Sequence, residues 1–399
     1  MSAVSESSLV PYLDLADPNF SVRSPAVRAA REQSWFARTP YGLAILRYAE
    51  VGSLLRDSRL RQGSYKWPEH NRANGTFAEW WLRMLLNRTG ADHDRLRRLV
   101  NPAFSPRLVR PMQPHFAEIA GELIDAFEAR GRCEFLSEFA EPYATRVICE
   151  LLGLAHDRWR ELAAASADMG LALGVSYGGL QDKINAGTER MLAYAAELVD
   201  ENRASPRDDF VGNLIKANEN KDTLQDQELL DMIVLAVFGG IDTTRNQLGL
   251  GMTVFIERPA QWRLLAERPE LAANAVEEIM RIRPTTTWVT RETLEDIVVN
   301  GMTIEKGTTL HLFAESSGTD PRVFDGEFDI TVEHKRHYGF GAGPHYCLGQ
   351  TIARADMTEA FRLLAKRLGA IEYDGDPVFL PDSSNTGPVS LPIKFSTQH

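Results

Sequence analysis

The chain has 399 residues, 44% of them hydrophobic and 25% charged, a balance that excludes both a disordered chain and a membrane protein built of apolar spans. A net charge of −11, with no basic block or basic-aromatic run, argues against nucleic acid as a partner. Cys133, Cys149 and Cys347 are too few and too dispersed for a disulfide framework or a local metal cluster, so a reducing compartment is expected.

Met1 to Asn19 is polar and holds neither an apolar signal core nor a span of roughly 20 apolar residues. With arginine outnumbering lysine 36 to eight, the expectation is a bacterial, cytoplasmic protein with no membrane contact. Most of the chain beyond Asn19 reads as helix. A short alternating stretch at Tyr41, Leu43 and Ile45 gives way to a helical one at Val51, Leu54 and Leu55. From Gly63 to Gly90 the chain is irregular, then crowded with large residues, including Trp67, Phe77, Trp80 and Trp81. Such a cluster is most often core, but adjacent tryptophans without strict periodicity also suit a pocket wall. Asp92 to Val109 reads as a basic helix on which His93 and Arg97 lie one turn apart and can face one anion. Ala163 to Gly179 is rich in Ala, Gly and Met, with a break at Tyr177-Gly178-Gly179.

Leu224 to Ile256 is apolar on more than one side, as a buried helix is. Its centre, Gly239-Gly240-Ile241-Asp242-Thr243-Thr244, breaks that rule: each glycine costs about 1 kcal/mol relative to alanine, and a buried acid and hydroxyl add to it. Local rules broken in mid-helix are expected at a functional site. Glu278 and Arg281 lie three apart before Arg283-Pro284 and can pair. Asn300-Gly301 between Ile297–Val299 and Met302–Ile304 signals a hairpin. Ile371 to Phe395 reads as short strands around a loop at Ser383 to Gly387. No repeat or linker divides the chain, so one domain is expected over residues 1–399.

Phe340 to Gly349 (FGAGPHYCLG) sets three glycines and a proline around Cys347, then runs into a helical pattern. A thiolate at such a loop-helix junction is favoured by free N–H groups and the helix dipole, and suits a nucleophile or a metal ligand. The rigid, glycine-opened loop, which lets something flat approach the backbone, favours the ligand.

The pattern F-x-x-G-x-H-x-C-x-G, complete at Phe340, Gly343, His345, Cys347 and Gly349, resembles the haem-binding loop of the cytochromes P-450. The resemblance covers nearly the whole length. It implies a mainly α fold with small β-sheets enclosing one haem b, with Cys347 as iron ligand. It maps His93, Arg97, Arg291 and His345 onto propionate ligands, and Asp242 and Thr243, after Gly239-Gly240, onto the acid-threonine pair that passes protons where a distortion of the helix opens a groove. The segment around Ala163 to Gly179 becomes the lid over the substrate. Glu278-Arg281 becomes the structural E-x-x-R pair; Glu327 stands where its third arm, an arginine, is usual, which leaves Lys335 or Arg336 for that arm. Family position nominates Trp80, Trp81, Val234, Val237, Phe238, Gly239, Thr287, Trp288, Asn385 and Thr386 as the substrate pocket, suggesting a medium-sized, partly polar natural product. The implied activity is monooxygenation with dioxygen, fed by a separate ferredoxin and ferredoxin reductase that dock on arginines such as Arg98, Arg107, Arg110 and Arg354. A peroxide-driven enzyme and a haem-binding sensor or recruiter are the alternatives, the first disfavoured by the intact Asp242-Thr243 pair.

Overall fold

The computed structural model describes residues 10–154, 158–173, 179–219, 224–325, 327–333, 335–379 and 381–397. Its axis is the helix Asp226–Ile256, 31 residues long, started by a capping box in which Gln225 and Glu228 satisfy each other's backbone N–H groups. The apolar residues on several of its faces are covered by helices Glu141–Leu152, Trp159–Gly170, Gln181–Ala204 and Gln350–Arg367. Gly240 permits the closest approach: a Cβ there would stand 2.5 Å from Ile148 Cδ1. The helix remains α-helical through Gly239–Thr244, so the expected distortion is absent. Thr243 instead donates its hydroxyl back to the Gly239 carbonyl at 2.5 Å, and the missing side chain of Gly239 leaves open space beside an intact helix.

Four small sheets accompany the helices among the described residues. The largest runs Phe36–Thr39, Gly42–Ile45, Thr309–Phe313, Trp288–Thr293, Leu60–Gln62, with only the second and third strands parallel. Its register sets Arg291 opposite Leu310 on one side and Gln62 on the other. The Asn-Gly hairpin forms as expected, with φ of 50° at Asn300 and 79° at Gly301, the two positive values a tight I′ turn demands. The carboxy-terminal strand Pro392–Thr397 pairs with Arg132–Glu134 and Leu368–Tyr373, closing the far end.

The basic segment after Asp92 is less regular than its composition suggests. Helix Gly90–Val100 ends where Pro102 and Pro106 break the ladder, and a 3₁₀ turn (Asn101–Phe104) and a short helix (Pro106–Val109) come next. Of the expected helix break further on, Tyr177 and Gly178 lie outside the described residues.

Glu278 and Arg281, on helix Ala272–Ile282, form a bidentate pair at 2.5 and 3.0 Å. Arg281 also donates to the Gly318 carbonyl at 2.8 Å, and Glu278 accepts from the Asp329 N–H at 3.0 Å. Backbone groups thus hold the pair on two sides. Arg336, one of the two residues expected to supply a third arm, lies instead over the Tyr346 ring, 4.2 Å from its centroid.

Candidate active site

A cavity of about 450 Å³ separates the central helix from the cysteine loop. Loop geometry begins with glycine: Gly341 and Gly343 have φ of +70° and +68°, where side chains are strained, and a Cβ on Gly343 would stand 2.5 Å from the Leu55 carbonyl oxygen. Cys347 N–H donates to the Phe340 carbonyl at 2.9 Å and closes the loop. The thiol is half-buried and opens onto the cavity at the start of helix Gln350–Arg367. Burial pushes its pKa up; the N–H groups of Gly349 and Gln350 and the charges of Arg97 and Arg354 pull the other way without prevailing. The dipole and free N–H groups that sequence invokes are therefore present but outweighed by desolvation. A metal ion at the sulfur would supply the charge that removes the proton.

Around the same cavity stand His93, Arg97, Arg291 and His345. The two imidazoles lie 4.3 Å apart. His93 Nδ1 meets Asp94 Oδ1 at 3.1 Å, while its buried Nε2 has no partner among the described residues. Arg291, 4% exposed, donates to Gln62 Oε1 and the Thr290 carbonyl, both neutral, and burial lowers its pKa to about 10. Burial likewise lowers Arg97. His345 falls to about 3, through burial first and then the charges of Arg291, His93 and Arg97. Cationic groups crowded together out of water leave an anionic deficit, and an orphaned donor points the same way. With a thiol, two backbone-opening glycines and this basic cluster on one cavity, the residues present fit a flat metal cofactor that carries negative groups at its edge.

Across the cavity from Cys347 the central helix presents Gly239, Asp242 and Thr243. Burial raises the Asp242 pKa, while Arg245, 3.6 Å away, and the Asn246 amide at 3.2 Å restrain the rise. An acid whose proton is held more tightly than usual and a hydroxyl one residue on suit proton transfer.

The aromatic wall is split. Trp81 and Phe238 line the cavity, ring centroids 6.4 Å apart, with Trp81 anchored by its N–H to the Ser64 carbonyl at 2.7 Å. Trp80, next in sequence, is wholly buried and does not line it. Four other nominated pocket residues also stand off the cavity. Val234 and Val237 lie on the helix face opposite Gly239 and pack into the core; Thr287 and Thr386 are fully buried, their hydroxyls donating to Ser383 O and Asp382 Oδ1. Trp288 reaches the cavity, but its ring stacks on Phe313 at 5.1 Å. Leu235 and Ala236, four and three residues before Gly239, take the place of the valines, and helical spacing from Gly239 was the signal for them. Ser166 and Gly170, within the segment expected as a lid, also line it, and so do Met84, Gln247 and Thr286, which no sequence pattern assigns to a pocket.

The arginines nominated for partner docking divide as well. Arg354 is engaged: it donates to Glu277 at 2.5 Å and lies over Phe340, 4.3 Å from the ring centroid. Arg98 lines an open cleft of about 520 Å³ with Arg97, Asn101 and Pro344, on the outer side of the cysteine loop.

A thiol-bearing loop, a basic rim and an acid-hydroxyl pair on one enclosed chamber define a haem-thiolate oxidoreductase. The relatives agree. A family model for Cytochrome P450 matches residues 177–368. Luteothin monooxygenase of Streptomyces thioluteus is 37% identical over 394 residues, spanning 97% of this chain and 96% of the relative. Mycinamicin IV hydroxylase/epoxidase of Micromonospora griseorubida is 32% identical, over 89% of this chain and 91% of its own. The crystal structure of CalO2 superposes with a TM-score of 0.86 at 28% identity, covering 95% of this chain and 99% of that one. The chain belongs to the cytochrome P450 family, whose cofactor is a haem ligated by cysteine, and it is an oxidoreductase of the monooxygenase class. No helix among the described residues is long and apolar enough to cross a membrane.

Proposed function

We propose that this chain is a cytoplasmic, dioxygen-dependent monooxygenase that holds haem b, takes electrons from a separate ferredoxin and oxidises a medium-sized, partly polar natural-product intermediate. The observation that carries the reading is Cys347 on its glycine-opened loop, opposite Asp242 and Thr243 across one cavity. Cys347 would ligate the iron, and His93, Arg97, Arg291 and His345 would receive the negative edge of the macrocycle, with Phe340 and Gly349 shaping the seat. Haem bound there supplies the dioxygen and redox chemistry. The chain's own work is narrower. Asp242 moves a proton between the Arg245 side and the chamber, Thr243 presents its hydroxyl oxygen to that proton, and Trp81 and Phe238 keep water from an apolar substrate. Relatives named for luteothin and mycinamicin support a natural product as substrate class. The intact acid-threonine pair favours dioxygen over a peroxide-driven reaction.

The ferredoxin reading is supported by the open cleft at Arg98 beside the cysteine loop, with Arg107 and Arg110 on the segment after it. Reconstitution with a ferredoxin and its reductase tests the whole proposal. Substrate-dependent turnover is expected, with a first electron transfer that slows steeply as salt rises and slows further when Arg98 and Arg107 are both changed to Glu. No turnover over a broad natural-product panel, despite a substrate-induced spin shift, points to the sensor or recruiter.

A further inference from the structure

On one wall of the chamber the polar side chains are tied to the protein, apart from the exposed hydroxyl of Ser384 and the amide of Asn385. There the segment Thr285–Thr287 meets the loop 382–387, joined by an isolated bridge between Thr286 and Asn385. Thr285 donates its hydroxyl to the Thr386 carbonyl at 2.7 Å, Thr287 to the Ser383 carbonyl, Ser383 to the Asn385 carbonyl at 2.6 Å and Thr386 to Asp382 at 3.0 Å. Gln247, reaching over from the central helix, is engaged at both ends, donating to the Arg283 carbonyl at 3.0 Å and accepting from the Thr285 N–H at 2.8 Å.

Asn385 is different. Its Oδ1 accepts from the Thr286 hydroxyl at 3.1 Å, which turns the amide nitrogen away. The side chain is half-buried and lines the cavity, and among the described residues its two N–H bonds meet no protein acceptor. The mount is rigid, because the backbone on either side is tied by Thr287 N–H to Ser384 O at 3.0 Å and Thr386 N–H to Thr285 O at 2.9 Å. A donor so fixed binds an acceptor without the ordering cost of a free side chain. Asp382 at the start of the loop and Glu315 share Arg23, so the local charge does not invite an anion.

We propose that Asn385 determines specificity: its amide N–H receives a neutral carbonyl oxygen, so the substrate carries a ketone or similar carbonyl beside the apolar part that faces Trp81 and Phe238. This rests on the chamber being the substrate site of the monooxygenase proposed above. Thr286 is a positioning residue that fixes which end of the amide faces the ligand.

The test uses the haem-loaded protein and three probes of matched size: 4-phenyl-2-butanone, butylbenzene and 4-phenyl-2-butanol. Dissociation constants are measured by equilibrium dialysis, which reads occupancy whatever happens at the iron, with the Soret shift followed in parallel. The ketone-to-hydrocarbon affinity ratio should fall about fivefold in Asn385→Leu, the worth of one net hydrogen bond. It should fall less in Thr286→Val, where the amide stays but can turn. The same ratio in the native protein and both variants overturns the proposal. So does a loss confined to the alcohol, which would mean that the wall presents an acceptor. Probes that dialyse in with no Soret change would contradict the haem-chamber reading instead, and the Asn385 ratio would still be read from the dialysis.

Discussion

Two buried arginines teach opposite lessons. Arg281 and Arg291 are 2% and 4% exposed, and both sit within one short stretch of chain. Arg281 is paired bidentately with Glu278 and braced by the Gly318 carbonyl, so its charge is neutralised by the protein itself. Arg291 has only the neutral oxygens of Gln62 and Thr290 among the described residues, and burial lowers its pKa to about 10. A buried charge that is paired belongs to the fold; one left unpaired in a cavity wall, beside His93, Arg97 and His345, fits the anionic edge proposed for the cofactor. The first arrangement would be intelligible in a protein with no ligand. The second would not.

The comparison can be broken most forcefully at Arg281. Removing one partner of a buried pair leaves the other uncompensated, so Arg281→Leu should destabilise the fold by about 3–5 kcal/mol. Chemical denaturation should show that loss with or without haem. Arg291→Leu should behave in the reverse way. The haem-free protein should keep its stability or gain some, since an unpaired buried charge has gone, while haem affinity falls about tenfold or more with the loss of a charge-assisted bond. Haem transfer to apomyoglobin measures the affinity, and denaturation of the stripped protein measures the rest.

A third expectation sharpens the distinction between paired and functional charge at Asp242. Thr243→Ala should leave substrate binding and reduction intact and divert electrons into hydrogen peroxide, with coupling reduced about tenfold or more. Product formed per electron consumed is the measurement, and equal values in the two proteins would remove Thr243 from the proton route. The last expectation concerns pH. The folded protein withholds a proton from His345 until about pH 3, whereas an unfolded chain takes it near 6.5. Stability from this group is therefore full above pH 6.5 and is lost as pH falls toward 3. Haem-free native protein should lose stability across that window more steeply than His345→Gln, as read by thermal melts at stepped pH.

Local patterns were legible in the sequence and long-range ones were not. The cysteine loop, the Glu278–Arg281 spacing and the Asn300-Gly301 turn each confine their physics to a few consecutive residues, and each forms as the spacing requires. The central helix is legible, but an all-round apolar pattern cannot say which face is the cavity: family position nominates Val234 and Val237, and Leu235 and Ala236 stand there. Trp80 and Trp81 are neighbours with the same chemistry, and both pack against Phe77 and Phe238; their indole N–H groups part them, Trp80 donating to the Asp231 carbonyl of the central helix and Trp81 to the Ser64 carbonyl. Family position nominates Thr287 and Thr386 for the pocket; the Thr287 hydroxyl is taken by Ser383, 96 residues on, which only the fold brings near, and that of Thr386 by Asp382 within its own loop. Arg354 looked available for docking until Glu277, some 77 residues earlier, met it.

All of this depends on Cys347 as the iron ligand, and the carbon monoxide difference spectrum of the reduced protein tests that most directly. The native protein and the Cys133→Ser and Cys149→Ser variants should show the long-wavelength band of thiolate-ligated haem, and Cys347→Ser should lose it while still folding. A Cys347→Ser protein that keeps the band would contradict the account.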